Sequence, residues 1–208
     1  MKKRICLGIA ICMILAGSIY YIINQQRQVA ITEGIASKII RLHVVANSDT
    51  KLDQSLKLRV KDQIVTNLQG KLKGVKNREQ AKKIIAKNLG EIEQIAEKKM
   101  KSEGYDYKAT AKLVHMDFPV KQYGDLTFPA GNYEALRVEL GKAEGKNWWC
   151  VMYPSLCLID STYQIVPNNS KEMLKTSLTD REYDEILSGK QEVTYGCKLF
   201  DWVAKLLD

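Results

Sequence analysis

The most constraining feature of the sequence is its first 23 residues. Lys2, Lys3 and Arg4 precede an apolar or small run from Ile5 to Ile23, and the chain turns polar directly afterwards. A positive head followed by such a run is typical of an export signal or a membrane anchor. Because the positive charges stay in the cytoplasm, either alternative places residues 24–208 on the far side of the membrane.

Two interpretations of this N-terminal segment stay open. If cleavage follows Ala16-Gly17-Ser18, the apolar region before that site has the length of a signal peptide. If nothing cuts there, the run is just long enough to span a bilayer, because a spanning helix needs about 20 residues. We therefore expect a signal peptide or membrane anchor over residues 1–23 and a single exported domain over residues 24–208.

The exported part of the chain is mildly basic. The full chain has 32 lysine and arginine residues against 24 acidic residues, a net charge of +8. The head contributes three of the basic residues, so the exported part has a net charge of +5. Its lysines alternate with glutamates along apparent helices, which is typical of a solvated helix face rather than of a polyanion site. We therefore expect no nucleic-acid partner.

The first half of the exported part predicts a strand followed by two helices. The segment "KIIRLHVVAN" from Lys38 is β-branched and apolar, and the turn-forming "NSDT" follows it. From Leu52 onward, apolar residues recur every four positions, as in an amphipathic helix. A second start signal at Asn77, with its capping partner three residues on, predicts a helix that ends at Gly104 and is weakened at Gly90.

The second half changes from a helical period to alternation. "YDYKATAKLVHMDFP" and "NYEALRVEL" alternate between apolar and polar residues and predict strands, and "WWCVMY" predicts a third. The glycine-bounded turn "GKAEGKN" predicts that the last two form a hairpin. Thr179 is expected to cap a short helix, and Leu199, Phe200, Val203 and Leu206 share one side of a final amphipathic helix. This order predicts an α+β fold, a mostly antiparallel sheet with packed helices.

No set of residues in the sequence predicts a catalytic or metal site. A cysteine nucleophile needs a base, and the only two histidines are His43 and His115. Both lie in strand-like segments, where a lone imidazole is usually a hydrogen-bonded packing residue. Cys150 and Cys157 have six residues between them, outside the short spacings of zinc sites, and no histidine pair accompanies them. The acids of "NSDTKLDQ" fall at a helix start, where they favour the helix dipole. We therefore expect no catalytic residue, no metal and no cofactor.

Cys150 and Cys157 are instead candidates for a disulfide. The midpoint between them falls at Tyr153-Pro154, so a hairpin that turns there sets the two sulfurs opposite each other. Export supplies an oxidising environment. Cys197 is a third thiol in the exported part, so three pairings exist and each leaves one sulfur unpaired. We expect the Cys150–Cys157 pair, with Cys197 free.

Trp148 and Trp149 are adjacent in the last predicted strand. Successive strand residues face opposite sides of a sheet, so we expect one indole in the core and the other exposed or covered by a helix. The outward indole is a candidate anchor for a binding partner.

Two long segments resemble one protein family. "IRLHVVANSDTKLDQSLKLRVKDQIV" (Ile40 to Val65) and "FPAGNYEALRVELGKAEGKNWWCVMYPSLC" (Phe128 to Cys157) are similar to the signature blocks of stage II sporulation protein R of endospore-forming bacteria. The resemblance implies a non-enzymatic signal, made in the forespore and exported into the space between the two membranes. It further implies that the signal triggers a membrane-embedded aspartic protease of the mother cell. That protease then matures the precursor of the first mother-cell sigma factor.

The first hypothesis of function is that the domain is a ligand for this membrane receptor. It uses an exposed element around residues 41–49 or around residues 148–154. Its partners are the mother-cell protease and, before or without cleavage, the membrane that holds the N-terminal segment. The candidate partner-binding residues are Arg41, His43, Asn47, Asp49, Trp148, Trp149, Tyr153 and Pro154.

The alternative hypothesis is a hydrolase of the cell envelope. Cys150 or Asp49 is then the reactive group, and His43 or His115 is the base. A ligand loses activity through several surface changes of graded effect, whereas an enzyme fails on one chemically specific substitution that leaves binding intact.

Overall fold

The computed structural model of the chain describes residues 2–157 and 166–188, with side chains over residues 11–157 and 166–187. The described residues form a four-stranded sheet, a small two-stranded sheet and helices on both faces of the larger one, which confirms the α+β fold. The elements in chain order are α1 (Lys2–Lys38), β1 (Ile40–Val45), α2 (Lys51–Leu72), α3 (Arg78–Lys87), α4 (Leu89–Ser102), β2 (Ala109–Phe118), β3 (Lys121–Tyr123), β4 (Leu126–Phe128), β5 (Gly131–Leu140), β6 (Asn147–Tyr153), α5 (Asn168–Ser177) and α6 (Asp180–Ser188).

The larger sheet has the strand order β2-β5-β1-β6, so the first strand lies between β5 and β6. β1 is parallel to β5 and antiparallel to β6, and β2 is antiparallel to β5. All six residues of β1 are buried, and a strand buried on both faces belongs in the interior of a sheet. The predicted hairpin between "NYEALRVEL" and "WWCVMY" is therefore wrong. β1 separates these two strands, and residues 141–146 cross its end.

Helices α2, α3 and α4 cover one face of this sheet. α2 begins after Thr50, whose hydroxyl oxygen accepts a hydrogen bond from the backbone N–H of Asp53 at 3.2 Å. The apolar stripe of α2 packs on the sheet as its period predicts, although Leu52 itself is 67% exposed. This layer of the core contains Leu42, Val44, Leu56, Val60, Ile64, Leu68, Ile85, Ile92, Ala96, Leu136, Val138 and Cys150.

The long helix expected between Asn77 and Gly104 is divided into α3 and α4 at Asn88. The predicted start is confirmed, because the side chain of Asn77 accepts a hydrogen bond from the N–H of Gln80 at 3.0 Å. Gly104 follows α4 with a φ of 84°, a conformation that glycine adopts readily. Asn88 donates its amide to the carbonyl of Ile84 at 2.6 Å, and this local bond competes with continued helix. The predicted weak point at Gly90 lies two residues beyond this break.

The opposite face of the sheet is covered by the end of α1, the β3–β4 pair, α5 and α6. Thr179 caps α6 as predicted, because its N–H donates to Glu182 Oε2 at 2.7 Å and its Oγ1 accepts from the N–H of Glu182 at 3.4 Å. The ammonium of Lys38 also contacts the Glu182 carboxylate at 2.5 Å, which joins α1 to α6. This second layer of the core contains Ile35, Ile39, Phe118, Leu126, Phe128, Tyr133, Val151, Val166, Leu174 and Ile186.

α1 continues through the boundary that the sequence indicates at residue 23. Its large apolar side chains from Ile11 to Ile23 are exposed, whereas Ile35 is in the core. Among the described residues, no helix is both long and apolar enough to cross a membrane. The final amphipathic helix predicted around residues 199–206 lies outside the described residues.

Candidate partner-binding site

The two segments that resemble the family become neighbours in the sheet. β1 comes from the first segment, and β5 and β6 come from the second. Leu42 lies opposite Leu136 of β5 and Cys150 of β6, and His43 lies opposite Trp149 of β6. The tertiary structure therefore places residues 41–49 beside residues 148–154 along the β1–β6 pair, with Arg41 near Tyr153 at one end and Asn47 near Trp148 at the other.

His43 lies between Trp149 and Phe118 on the second face of the sheet. Its imidazole stacks on the indole of Trp149, and the ring of Phe118 meets it edge-on at 6.4 Å. His43 Nε2 is 2.7 Å from Asn147 Oδ1, while Nδ1 has no hydrogen-bond partner among the described residues. Burial lowers the pKa of His43, and the positive charge of Arg137 lowers it further, although the bond to Asn147 opposes the shift. His43 is therefore held as a neutral packing residue.

Arg41 lies in a cage of aromatic rings next to His43. Its guanidinium carbon is 4.6 Å from the centroid of Phe118 and 5.1 Å from that of Tyr133, and Phe128 and Tyr123 complete the cage. Nη2 donates to the Tyr123 hydroxyl at 3.3 Å, whereas Nε and Nη1 have no hydrogen-bond partner within the described part of the chain. Burial lowers the pKa of Arg41, and it raises that of Tyr133 to about 12. The cage stabilises the cation through the faces of the rings.

The two tryptophans face opposite sides of the sheet, as expected, but neither is fully exposed. Trp148 packs on the core beneath α2, where the ammonium of Lys61 lies 4.6 Å from its ring centroid. Trp149 packs on the second layer of the core with His43. Trp148 is thus the indole that a helix covers, one of the two alternatives expected for the second indole. Both indoles are half-buried, so neither is completely enclosed in the core.

The "NSDT" turn is held by a network of hydrogen bonds around Asp53. The Asp53 carboxylate accepts from the Ser48 hydroxyl at 2.5 Å and from the Asn47 amide at 2.8 Å. Burial alone raises the pKa of this carboxyl, but the hydrogen bonds from Ser48, Asn47, Tyr107 and Thr50 outweigh burial and lower it. The turn therefore has one fixed conformation at the end of β1.

The same turn clasps the loop that crosses the end of β1. Lys142 N donates to Asn47 Oδ1 at 3.0 Å, and Lys146 N donates to Asp49 Oδ1 at 2.6 Å. Gly145 passes so close to the turn that an added Cβ would lie 2.3 Å from the carbonyl oxygen of Ser48. We refer to residues 46–50 and 141–149 as the clasp. The contacts of the clasp hold the loop of residues 141–146 across the end of β1. A direct hairpin between β5 and β6, as the sequence predicted, would not need these contacts.

Lys57 supports the clasp from α2 and was missed by the sequence analysis. Its ammonium donates to the carbonyl of Lys146 at 2.8 Å and to Gln54 Oε1 at 2.7 Å. Burial lowers the pKa of Lys57, and the charge of Asp49 opposes this shift. The sequence does contain one indication of this role. Lys57 lies between Leu56 and Val60 on the buried side of α2, where the ammonium of a lysine needs a hydrogen-bond partner.

The structure pairs Cys150 with Cys157 around the Tyr153-Pro154 peptide, as predicted, with Cα atoms 5.3 Å apart. The residues after β6 form a turn that folds back on the outer edge of this strand, and Leu156 N donates to the carbonyl of Val151 at 3.0 Å. The disulfide therefore closes this turn. Cys197 lies outside the described residues.

The exposure expected for the candidate residues needs correction. Arg41, His43, Tyr153 and Pro154 are buried, so they are not surface contacts in this conformation. Arg41 and His43 occupy an interior strand, and Tyr153 and Pro154 lie in the turn that the disulfide closes, with Tyr153 in the core. The more accessible candidates are Asp49, which is exposed, and Asn47, Trp148 and Trp149, which are half-buried.

The residues of the hydrolase alternative are not brought together. Cys150 Sγ is in the disulfide, and Asp49 Oδ1 accepts from the Lys146 backbone. His43 Nε2 pairs with Asn147, while His115 lies on β2 at the other edge of the sheet. Within residues 2–157 and 166–188, no group of three or more His, Cys, Asp or Glu residues could hold a metal ion.

Comparison with known proteins identifies the family. The family model described as "Stage II sporulation protein R (spore_II_R)" matches residues 36–163. The chain belongs to the stage II sporulation protein R family. "Stage II sporulation protein R" of Bacillus subtilis (strain 168) is 34% identical to it over 163 residues, which cover 77% of this chain and 73% of that protein. No solved structure matches the chain.

The region matched to the stage II sporulation protein R family contains all of the strands described above and helices α2 to α4. It also contains the clasp, the Arg41 cage and the disulfide turn. Helices α5 and α6 follow the matched region. Membership of the family establishes a protein of stage II of sporulation whose matched region includes the β1–β5–β6 arrangement.

Proposed function

We propose that this chain is an exported signalling protein of sporulation that activates a membrane-embedded protease by binding it. The protease is the aspartic protease of the mother cell, which processes the precursor of the early mother-cell sigma factor. Membership of the stage II sporulation protein R family is the observation that carries this proposal. It is supported by the site, because Cys150 and Cys157 form a disulfide and His43 packs on the indole of Trp149.

The proposed location follows from the N-terminal sequence. The basic head and the apolar run after it favour export from the forespore into the space between the two membranes. The chain is then secreted or held by its N-terminal segment. In both cases the domain faces the outer segments of the protease.

The clasp is the surface that we propose for the receptor. Asp49, Lys142, Glu144 and Lys146 are exposed there and alternate in charge. The half-buried indoles of Trp148 and Trp149 follow directly. Aromatic anchors beside a polar, charged rim are typical of protein interfaces. The clasp is also fixed by its hydrogen bonds, so little conformational entropy is lost on binding.

Activation by binding requires a preference between two states of the receptor. The signal must bind the active state more tightly than the inactive state, and a tenfold preference corresponds to about 1.4 kcal/mol. Complete burial of a half-buried indole can supply this difference.

The test measures binding and activation separately with the full chain. Trp148→Ala and Asp49→Ala should each weaken binding to the outer segments of the protease about tenfold and lower its activation to match. Val120→Ala is the matched control, because Val120 is 46% exposed and lies away from the clasp. Circular dichroism confirms that each variant is folded. If Asp49→Asn abolishes activation while affinity is unchanged, binding is not the activity and the hydrolase alternative takes its place.

A further inference from the structure

The outer edge of β2 is protected along only half of its length. Glu97 Oε1 accepts from the backbone N–H of Ala109 at 3.2 Å, and Glu93 Oε1 accepts from that of Ala111 at 2.8 Å. Both glutamates project from α4, one turn apart. An unpaired edge is a template for another strand, and these carboxylates block that template in the first half of β2.

The second half of the same edge presents free backbone groups. Lys108 directs its carbonyl inward, to the N–H of Gly141 at 2.8 Å, so the odd-numbered residues direct their N–H and C=O groups away from β5. For Leu113, His115 and Asp117, these groups have no partner among the described residues. One turn before Glu93, α4 has Leu89, whose apolar side chain cannot accept a hydrogen bond from the backbone of β2.

Side chains along the free half leave the edge accessible. The His115 side chain is 64% exposed, and Asp117 is also exposed. His115 Nε2 is 3.9 Å from Glu134 Oε1, too far for a hydrogen bond. Like charges directly opposite each other destabilise a strand pair. Here the two side chains are an imidazole and a carboxylate.

We propose that this edge pairs with the same edge of a second copy of the chain, antiparallel, about a two-fold axis through Met116. In this register His115 of each copy lies opposite Asp117 of the other. The two residues exchange N–H···O=C bonds, and the imidazole meets the carboxylate on one face. On the other face Val114 lies opposite Phe118, whose side chain is already buried in its own copy, and the two Met116 side chains meet at the axis.

The sequence "VHMDF" (residues 114–118) is self-complementary only in this antiparallel register. The axis generates each favourable pair twice, as in any isologous interface. Pro119 has no N–H and ends the ladder, so pairing extends over about five residues of each strand. The two larger sheets then form one continuous sheet through β2. This complementarity favours a second copy over an unrelated strand.

The test is disulfide crosslinking of the full chain in detergent, in a background in which Cys6, Cys12 and Cys197 are changed to Ala. Met116→Cys should give a covalent dimer on mild oxidation, because Cα atoms of a non-hydrogen-bonded antiparallel pair lie about 4.5 Å apart. Val114→Cys is the matched control on the same face. Its counterpart in the second copy is four residues away along the strand, about 14 Å, so it should crosslink at least tenfold more slowly than Met116→Cys.

A charge swap tests the pairing of side chains without the crosslink. His115→Asp should abolish the dimer measured by sedimentation, since four carboxylates then meet across the axis. Adding Asp117→His restores the complementary pairs and should restore the dimer. Three results would each overturn the proposal. The first is equal crosslinking of Met116→Cys and Val114→Cys, and the second is a Met116→Cys product that contains only another protein as its partner. The third is that the variant with both His115→Asp and Asp117→His does not restore the dimer. The protease takes no part in these measurements, so their result is independent of the proposed function.

Discussion

The imidazole of His43 lies flat on the indole of Trp149, with ring centroids 4.0 Å apart and ring planes 3° apart. The two residues come from the two segments that resemble the family, and they lie opposite each other in the β1–β6 pair. The stack fixes the start of β6, where the clasp ends. It also places a titratable ring in the core, so the stability of the clasp depends on pH.

The first prediction is that acidification from pH 7.5 to pH 5.5 destabilises the domain. Burial lowers the pKa of His43 below its ordinary value of 6.5, so the unfolded state binds a proton more readily than the folded state. The contribution of the neutral imidazole to stability is fully present above its ordinary pKa, and it is lost as the pH falls toward the lowered pKa of the folded state. The midpoint of urea unfolding should decrease accordingly.

His43→Gln should remove most of this pH dependence, whereas His115→Gln, at an exposed position, should retain it. The pKa of the Asp53 carboxyl is lowered from 3.8, so its contribution is lost only in more acidic solution. A wild-type midpoint that does not change between pH 7.5 and pH 5.5 would show that the stack tolerates the charged imidazole.

The second prediction concerns Arg41, which the sequence placed among the candidate partner-binding residues but which the structure buries. Arg41→Ala should lower the free energy of unfolding by about 3 kcal/mol, because it removes the cation from its aromatic cage and leaves a cavity. Arg41→Met fills most of that volume without a buried charge and should cost less than half as much. Chemical denaturation measures both values.

Arg181→Ala is the matched control, since Arg181 is exposed on α6 and its loss should change stability by less than about 0.5 kcal/mol. Equal losses for Arg41→Met and Arg41→Ala would show instead that the charge of Arg41 is itself required.

The third prediction concerns the disulfide. Replacing Cys150 and Cys157 together with Ser should lower the free energy of unfolding by about 2 to 3 kcal/mol, because the bond closes a short loop. Some activation of the protease should remain when this variant is overproduced. Mass spectrometry of unreduced peptides should recover the two cysteines linked and Cys197 free. A peptide that links Cys197 to either partner would contradict this pairing.

The fourth prediction concerns export. Alkaline phosphatase fused after residue 208 should be active only while residues 1–23 are present, because the basic head and apolar run direct the chain across the membrane. The same fusion without these residues is the control. Enzyme activity that persists in the truncated fusion would rule out export by this segment.

Much of the local structure could be predicted because its causes are local. The caps at Asn77 and Thr179, the stop at Gly104 and the alternation of β2 each depend on residues within a few positions of one another. The Cys150–Cys157 pair is also local, since only the turn between the two residues decides their distance.

The candidate site could be predicted only in part. The sequence indicated the two segments that meet in the sheet. The prediction that Arg41 and His43 belong to an exposed element was wrong. Both are buried because β1 is an interior strand that is covered on both faces. The roles of Asp53 and Lys57 in the clasp also depend on residues far away in the chain, so no short pattern marks them.

The sequence by itself determined the type and approximate bounds of most described helices and strands, the family and the disulfide pair. Only the tertiary structure decided the order of the strands, and with it which candidate residues are buried. Periodicity shows that a strand has one or two apolar faces, but it does not name the neighbours that cover them. The insertion of β1 between β5 and β6 depends on the free energy of burying all six of its residues at once, which is a property of the whole sheet.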